Sequence, residues 1–390
     1  MTATFITACL YPLEFVISDL SILLNRCAID RSPLALVCQI VPESLNKYAP
    51  ARPGREGSTK MLSAAVVGMG WWGRNMVETI EQSDKLQTLS VTSGHPANHQ
   101  DFADEKGVSL VHNYEEILEN SDIDTVILCT PHTQHEQQFL DAVNAGKQVF
   151  CEKPLSLTKA SAERMIAAAD QKGLVVGVGH ERRYESSMEA AREFVASGKL
   201  GTPLHVESNF SHNLLADLPL DSWRVSPTEG PSLPMTGMGV HLTDMFLWLF
   251  GPVDKINAQT AKKAVEWSAG DIITAQFKFA NGATGLICNM ATTPYYGRFS
   301  VFGTEGWLEV RDTGHPQMGG ETHVVTCLKG GDQEAQTLAG KNPVKANLEE
   351  WADAVEGRGD YRFTNQHLID NVATLEAIGN SIQSGNWEKV

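Results

Sequence analysis

Three glycines in "MLSAAVVGMGWWGRNMVETI", Gly68, Gly70 and Gly73, are spaced G-x-G-x-x-G between an apolar run and a helical pattern. That spacing suits a dinucleotide. The first glycine lets the chain turn tightly, the second lets backbone approach a pyrophosphate, and the third lets helix and strand pack closely. Amide N–H groups at the helix N-terminus then face the anion, helped by the helix dipole. Met69, Trp71 and Trp72 lie within the turn and join the cofactor-binding set, with the two tryptophans read mainly as packing residues. Discrimination between the two nicotinamide dinucleotides comes about 20 residues on, where an acid would hold the ribose 2′-hydroxyl. Here the second strand runs out in "VTSGHPANHQ", with no Asp or Glu from Val91 to Gln100. Nothing repels a 2′-phosphate, and Ser93, the Gly94 amide and His95 are available donors. The expectation is NADP ahead of NAD; the alternative is Thr92 or Ser93 on an NAD ribose. Thr130, Pro131 and His132 follow another apolar run, where such folds hold the nicotinamide ribose. His132 and His135 are three apart, but no third metal ligand is evident and hydrogen-bonding roles are preferred.

These residues need a particular scaffold. From Met61 the chain alternates apolar runs ("LSAAVVG", "LQTLSVTSG", "DTVILCTP", "KQVFCEKP", "LVVGVGHERRY") with helical stretches such as "HEQQFLDAVNAG" and "LTKASAERMIAAADQKG". Strand–helix–strand at this spacing predicts a parallel sheet with right-handed crossovers, over 61–183. Beyond it the texture changes to alternating runs ("PLHVESNFSH", "DIITAQFKFANGATGLICNM", "RFSVFGTEGWLEV", "ETHVVTCLKG"), as in an antiparallel sheet with one face buried. "ANG" marks a hairpin, and "HLIDNVATLEAIGNSIQSG" an amphipathic closing helix. The predicted class is α/β, with an N-terminal Rossmann domain and a C-terminal domain (184–390) that binds substrate and mediates oligomerisation.

The composition is that of a globular chain: 390 residues, 42% apolar and 20% charged, enough for two domains. A formal net charge of −16 argues against nucleic acid or an anionic membrane as partner. The seven cysteines form no C-x-x-C pair, which suits reduced thiols and, with no basic leader before Arg26, a cytoplasmic setting. Residues 1–60 end in the linker "YAPARPGREGSTK" immediately before Met61. They read as an upstream extension with Met61 as the natural start; the alternative is a helical arm packed on the body or on a partner subunit.

"AGKQVFCEKPLSLT", together with the glycine turn, "CTPHTQH", "GHERRY", "SWRVSP", "GMGVHLTD" and "VFGTEGWLEV", resembles the glucose–fructose oxidoreductase/inositol dehydrogenase/rhizopine-catabolism (Gfo/Idh/MocA) family over essentially all of 61–390. The resemblance implies a Rossmann domain followed by a large, mostly antiparallel open sheet. It also implies metal-free hydride transfer on a sugar, cyclitol or related hydroxy compound, and a homodimer or homotetramer. By resemblance Lys153 meets the reacting oxygen, where an ammonium stabilises developing charge and exchanges a proton. Glu152 orients that lysine, and the peptide before Pro154 is cis. Glu152, Lys153 and Arg183 join the cofactor-binding set, with a salt bridge as the plainer role for Arg183. His241 faces the substrate oxygen with Asp244 one turn on, and Trp223, Arg224 and Thr236 complete the substrate side.

One position departs from the pattern. Many relatives place Asp four residues before the histidine, and here Gly237 stands there. The carboxylate that would help His241 take a proton is missing, leaving Lys153, His241 and a water or Thr236 to share the task. The expected activity is NAD(P)-dependent oxidation or reduction at a CH–OH group of a polyol-like small molecule. A dihydrodiol-type dehydrogenase, redox-cycling glycoside hydrolysis and a non-catalytic dinucleotide-binding regulator are the alternatives.

Overall fold

The computed structural model describes residues 61–315 and 320–390; the extension expected over 1–60 lies outside them. The first part runs β1 (Leu62–Val67), α1 (Trp71–Ile80), β2 (Leu86–Thr92), α2 (Gln100–Lys106), β3 (Ser109–Leu110), α3 (Tyr114–Glu119), β4 (Thr125–Leu128), α4 (His132–Asn144), β5 (Gln148–Cys151), α5 (Lys159–Gln171) and β6 (Val176–Val178). The second continues with α6 (Ser186–Ala196), β7 (Pro203–Ser211), α7 (Val240–Phe250), β8 (Val253–Ala261), β9 (Ile272–Phe279), β10 (Thr284–Met290), β11 (Tyr296–Gly303), β12 (Gly306–Asp312), β13 (Glu321–Leu328), β14 (Gln333–Ala339), α8 (Pro343–Val355), α9 (Asn365–Ser384) and β15 (Glu388–Lys389).

Among the described residues the strands form two sheets, six-stranded in the order β3-β2-β1-β4-β5-β6 and nine-stranded in the order β14-β13-β12-β11-β7-β10-β9-β8-β15. The first is parallel throughout. Every residue of β1, "LSAAVV", is buried, as a strand covered on both faces requires. The strand order reverses between β1 and β4, which opens a crevice above their carboxyl ends.

The second sheet is antiparallel except where β10 lies parallel to β7. The run "RFSVFGTEGWLEV", read from sequence as one alternating run, is the hairpin β11–β12. Helix α7, apolar on nearly every side, lies on this sheet with Phe246 against Phe277, Phe279 and Phe299 at 5.3, 6.2 and 5.9 Å between ring centres. No helix of the described residues is long and apolar enough to cross a membrane.

The chain's end does not stay with the second sheet. Helix α8 sends Val344, Leu348 and Trp351 into the core of the first sheet. Trp351 packs edge-on against Phe150 at 5.5 Å and donates from its indole to the Val175 carbonyl at 3.0 Å. Gly177 leaves room for it: a Cβ there would collide with both rings. Helix α9 places Leu368 and Val372 in the first domain's core, and Leu375 and Ile378 in the second's. The chain passes from the first sheet to the second between β6 and β7, and its packing returns to the first through α8 and α9.

Candidate active site

The glycine turn is built as its spacing demands. Gly68 has φ +96°, and a Cβ there would lie 2.6 Å from the Cys129 carbonyl oxygen. A Cβ at Gly73 would overlap the Gly68 carbonyl, so α1 can approach β1 only with glycine there. Gly70, immediately before α1, has no atom within 4 Å of where a Cβ would stand. The first turn of α1 carries no acidic residue and no side-chain cap, so its amides are available to an anion. A dinucleotide's phosphates fit this cradle. Met69, by contrast, is 1% exposed and packs in the core, which leaves only its backbone to the turn. Trp71, expected as a packing residue, is 67% exposed and stands in the wall of the adjoining cavity, with Trp72 beside it.

Ser93, Gly94 and His95 lie past β2, outside that cavity, and the Ser93 hydroxyl accepts from the His95 amide at 3.2 Å. Two residues that the sequence did not single out lie near this end of α1. The Arg74 guanidinium contacts His99 Nδ1 at 3.1 Å and covers the Phe102 ring at 4.9 Å.

The cavity, of about 430 Å³, opens where the carboxyl ends of β4 and β5 face α7. Lys153 follows β5, its peptide to Pro154 is cis, and its ammonium donates to the Gly237 carbonyl at 3.0 Å. Burial pulls the Lys153 pKa down against the opposing pull of Glu181 and Glu152. Glu152 is itself buried, accepts from the Lys153 amide at 3.2 Å and has an Oε1 without a partner. Burial first, then the nearby Glu181, push its carboxyl up to about 8.

His241 reaches the cavity from the first turn of α7. It is 4% exposed, and its Nδ1 lies 3.8 Å from Glu181 Oε2. Burial and the nearby cations Lys153 and Arg182 hold its imidazole well below the usual range, hence neutral. His180 meets it edge-on at 6.0 Å. Thr236 and Gly237 line the same wall, in a π-helical turn leading into α7. The Thr236 hydroxyl is committed to the Ser232 carbonyl at 2.9 Å. The space beside Gly237 is apolar: a Cβ there would be 3.2 Å from Leu215 Cδ1.

On the opposite side His132 opens α4. Its Nδ1 stands 2.6 Å from the Glu229 carbonyl and must be the donor there, which leaves Nε2 as the acceptor of a neutral ring. Burial lowers its pKa to about 3. Trp223 meets His132 edge-on at 5.0 Å, and Arg224 stacks over Trp223 at 4.3 Å. Thr130 lines the cavity and donates to Gln138 Oε1 at 2.6 Å; Pro131 caps α4. His135 is fully buried between the carbonyls of Pro154 and Thr130, 2.9 and 3.0 Å away, and so braces the loop that follows Lys153.

Two expected site residues stand elsewhere. Arg183 is wholly buried, bidentate to Asp244 at 2.8 and 2.6 Å, with its guanidinium 4.2 Å from the Phe363 ring centre. Neither it nor Asp244 lines the cavity; the two form an ion pair between the domains, the plainer role for Arg183. The adjacent Arg182 turns the other way into the cavity wall, held by Glu185 at 3.0 Å and Asp312 at 3.1 Å. The wall also includes Glu181, Phe210, His212, Leu214 and His315, none of which the sequence reading named as a site residue.

A family model described as an oxidoreductase family with an NAD-binding Rossmann fold matches residues 62–180, and a GFO/IDH/MocA C-terminal domain model matches 188–309. Myo-inositol 2-dehydrogenase of Thermotoga maritima is 30% identical over 263 residues, 65% of this chain and 77% of that protein. The chain belongs to the Gfo/Idh/MocA oxidoreductase family. Similar at lower identity is the 1,5-anhydro-D-fructose reductase of Ensifer adhaerens, at 26% over 339 residues, 83% of this chain and 99% of that one. Among solved structures, the aldose–aldose oxidoreductase of Caulobacter crescentus superposes with a TM-score of 0.75 at 22% identity, covering 85% of this chain and 100% of that one, and shows the shared fold. This Gfo/Idh/MocA protein is accordingly an NAD(P)-dependent oxidoreductase with an NAD-binding Rossmann fold.

Proposed function

We propose that this oxidoreductase interconverts a CH–OH group and a carbonyl on a sugar, cyclitol or related cyclic diol. The observation that carries this reading is the placement of Lys153: a partly buried ammonium at the crevice above β4 and β5, in one cavity wall with His241. A bound nicotinamide ring supplies the acceptor or donor of the hydride. Lys153 then acts on the oxygen. A lysine whose pKa is pulled down by burial exchanges a proton nearer neutrality, and as an ammonium it stabilises negative charge on an alkoxide. His241, neutral, accepts a hydrogen bond from the hydroxyl at that oxygen. Trp223, Arg224 and Thr236 are assigned to the substrate wall, and Thr130, Pro131 and His132 to the nicotinamide side. The mixture of aromatic faces and polar groups suits a polyhydroxylated ring. Two relatives bear on the class: one is named for a cyclitol and the other for an anhydro sugar.

For the cofactor, NADP is proposed ahead of NAD. The turn after β2 holds Ser93, His95 and His99 with Arg74 across from it and no carboxylate, a set that attracts a 2′-phosphate. The test is purified protein assayed on a panel of aldoses, anhydro sugars, inositols and cyclic diols with each dinucleotide. Turnover of at least one compound, faster with NADP, supports the reading; none across the panel defeats it. Ser93→Asp should weaken NADP relative to NAD, and an unchanged ratio would remove the phosphate assignment.

A further inference from the structure

We propose that Glu181 is the positioning residue of this site, its carboxylate set against Nδ1 of His241 so that Nε2 is presented to the reacting oxygen. The inference rests on the hydride-transfer reading above and adds to it a residue from a different part of the chain.

Parallel pairing determines where Glu181 falls. β5 and β6 pair with Cys151 opposite Val178, so the residues that continue from each strand end emerge together. From β5 these are Glu152 and Lys153. From β6 they are Gly179, His180 and Glu181, the last opening a single helical turn, Glu181–Tyr184. A Cβ at Gly179 would run into the Glu152 carboxylate, a measure of how closely the two strand ends approach. Glu181 is 4% exposed, lines the cavity with Lys153 and His241, and has its Oε2 3.8 Å from His241 Nδ1.

Other acids stand close by. Asp244, one turn along α7, is bidentate to Arg183. Glu185 and Asp312 hold Arg182. Glu152 accepts from the Lys153 amide. Nδ1 of His241 is buried and has no hydrogen-bond partner in the present geometry, so an approach of under ~1 Å by Glu181 would make that bond. A carboxylate on Nδ1–H fixes the tautomer and aims the ring, leaving Nε2 to accept from a substrate hydroxyl. In the oxidation the carbinol C–H bond breaks and its electron pair leaves as hydride to the nicotinamide. The O–H proton passes through Nε2 of His241 to the Lys153 amine, and the C–O bond becomes C=O. Glu181 also raises the Lys153 pKa, which favours the ammonium that forms.

The experiment uses the full chain, ¹⁵N-labelled at histidine, with and without NADP. His241 is assigned by the resonances lost in His241→Asn. In the wild type the ring should carry its proton on Nδ1, and in Glu181→Gln that preference should be lost. On the panel compound that the wild type turns over fastest, Glu181→Gln should lose ~10–100-fold in kcat, with KM changed less than about threefold. Glu181→Asp should fall between the two. An unchanged His241 tautomer in Glu181→Gln, or an unchanged kcat, overturns the proposal. If the wild type turns over nothing on the panel, the proposed activity fails while the spectra still decide the role of Glu181. Should Glu181→Gln lose its fold by circular dichroism, Glu181→Asp carries both readouts, and wild-type values in it overturn the assignment.

Discussion

Arg183 and Asp244 face each other through two contacts of 2.8 and 2.6 Å, the guanidinium at 0% exposure and the carboxylate at 1%. Arg183 comes from the turn after the last strand of the first sheet and Asp244 from the helix on the second, so the pair fastens one domain to the other. Taking one partner away strands a buried charge, which typically costs about 3–5 kcal/mol. Asp244→Asn is expected to lose stability on that scale in urea unfolding of the whole chain. A loss below ~1 kcal/mol would mean that water or a neighbour compensates Arg183, and that the pair does not fasten the domains.

Lys153→Ala should lose at least ~100-fold in turnover, the scale of a general acid/base. Dinucleotide binding should survive, because the glycine turn is built from other residues. Binding is read by quenching of tryptophan emission, to which Trp71 and Trp72 contribute from the cavity wall. Near-wild-type turnover would end the assignment of Lys153.

The glycines should separate by role. Gly73→Ala forces a methyl onto the Gly68 carbonyl, so α1 must move off β1, and both thermal stability and dinucleotide affinity should drop. Gly70→Ala meets nothing within the protein and should melt like the wild type while binding the dinucleotide more weakly. Equal affinity in Gly70→Ala and the wild type would show that the space above Gly70 is not where the phosphates lie.

Stability should depend on pH from two directions. With its folded pKa raised to about 8, Glu152 keeps a proton that the unfolded chain has already released, so its contribution is present below the ordinary carboxylate range and is lost as pH rises toward 8. Buried His180, lowered to about 4, and His132, lowered to about 3, act in the opposite sense, and their contribution is lost as pH falls below about 6.5. Urea midpoints should therefore peak between these limbs, and Glu152→Gln should flatten the alkaline one. The same alkaline slope in Glu152→Gln and wild type would assign that limb to another group.

The sequence was most legible where one residue's backbone freedom or a strict period decides the structure. Gly68 needs its positive φ and Gly73 its missing Cβ, and both are visible as spacing. The buried strand β1 and the alternation in β9 and β10 follow from period alone. Helix α8 is not legible in this way, because what holds it lies at Phe150 and Val175, nearly two hundred residues earlier. Arg182 and Arg183 show the same limit at the site. They are adjacent and chemically identical, yet one lines the cavity and the other is sealed against Asp244, and only the turn after β6 determines which. Glu181 and His315 reach the cavity through tertiary placement that no local pattern announces.

The return of α8 and α9 to the first sheet has a consequence for synthesis. The nucleotide-binding half is translated first, but the indole that seals Phe150 and Gly177 belongs to residue 351, and the staple of Leu368 and Val372 comes later still. A ribosome would carry that half with an oily face uncovered until α8 and α9 have been made, so a chain cut short before residue 343 leaves a sticky fragment rather than a small working domain.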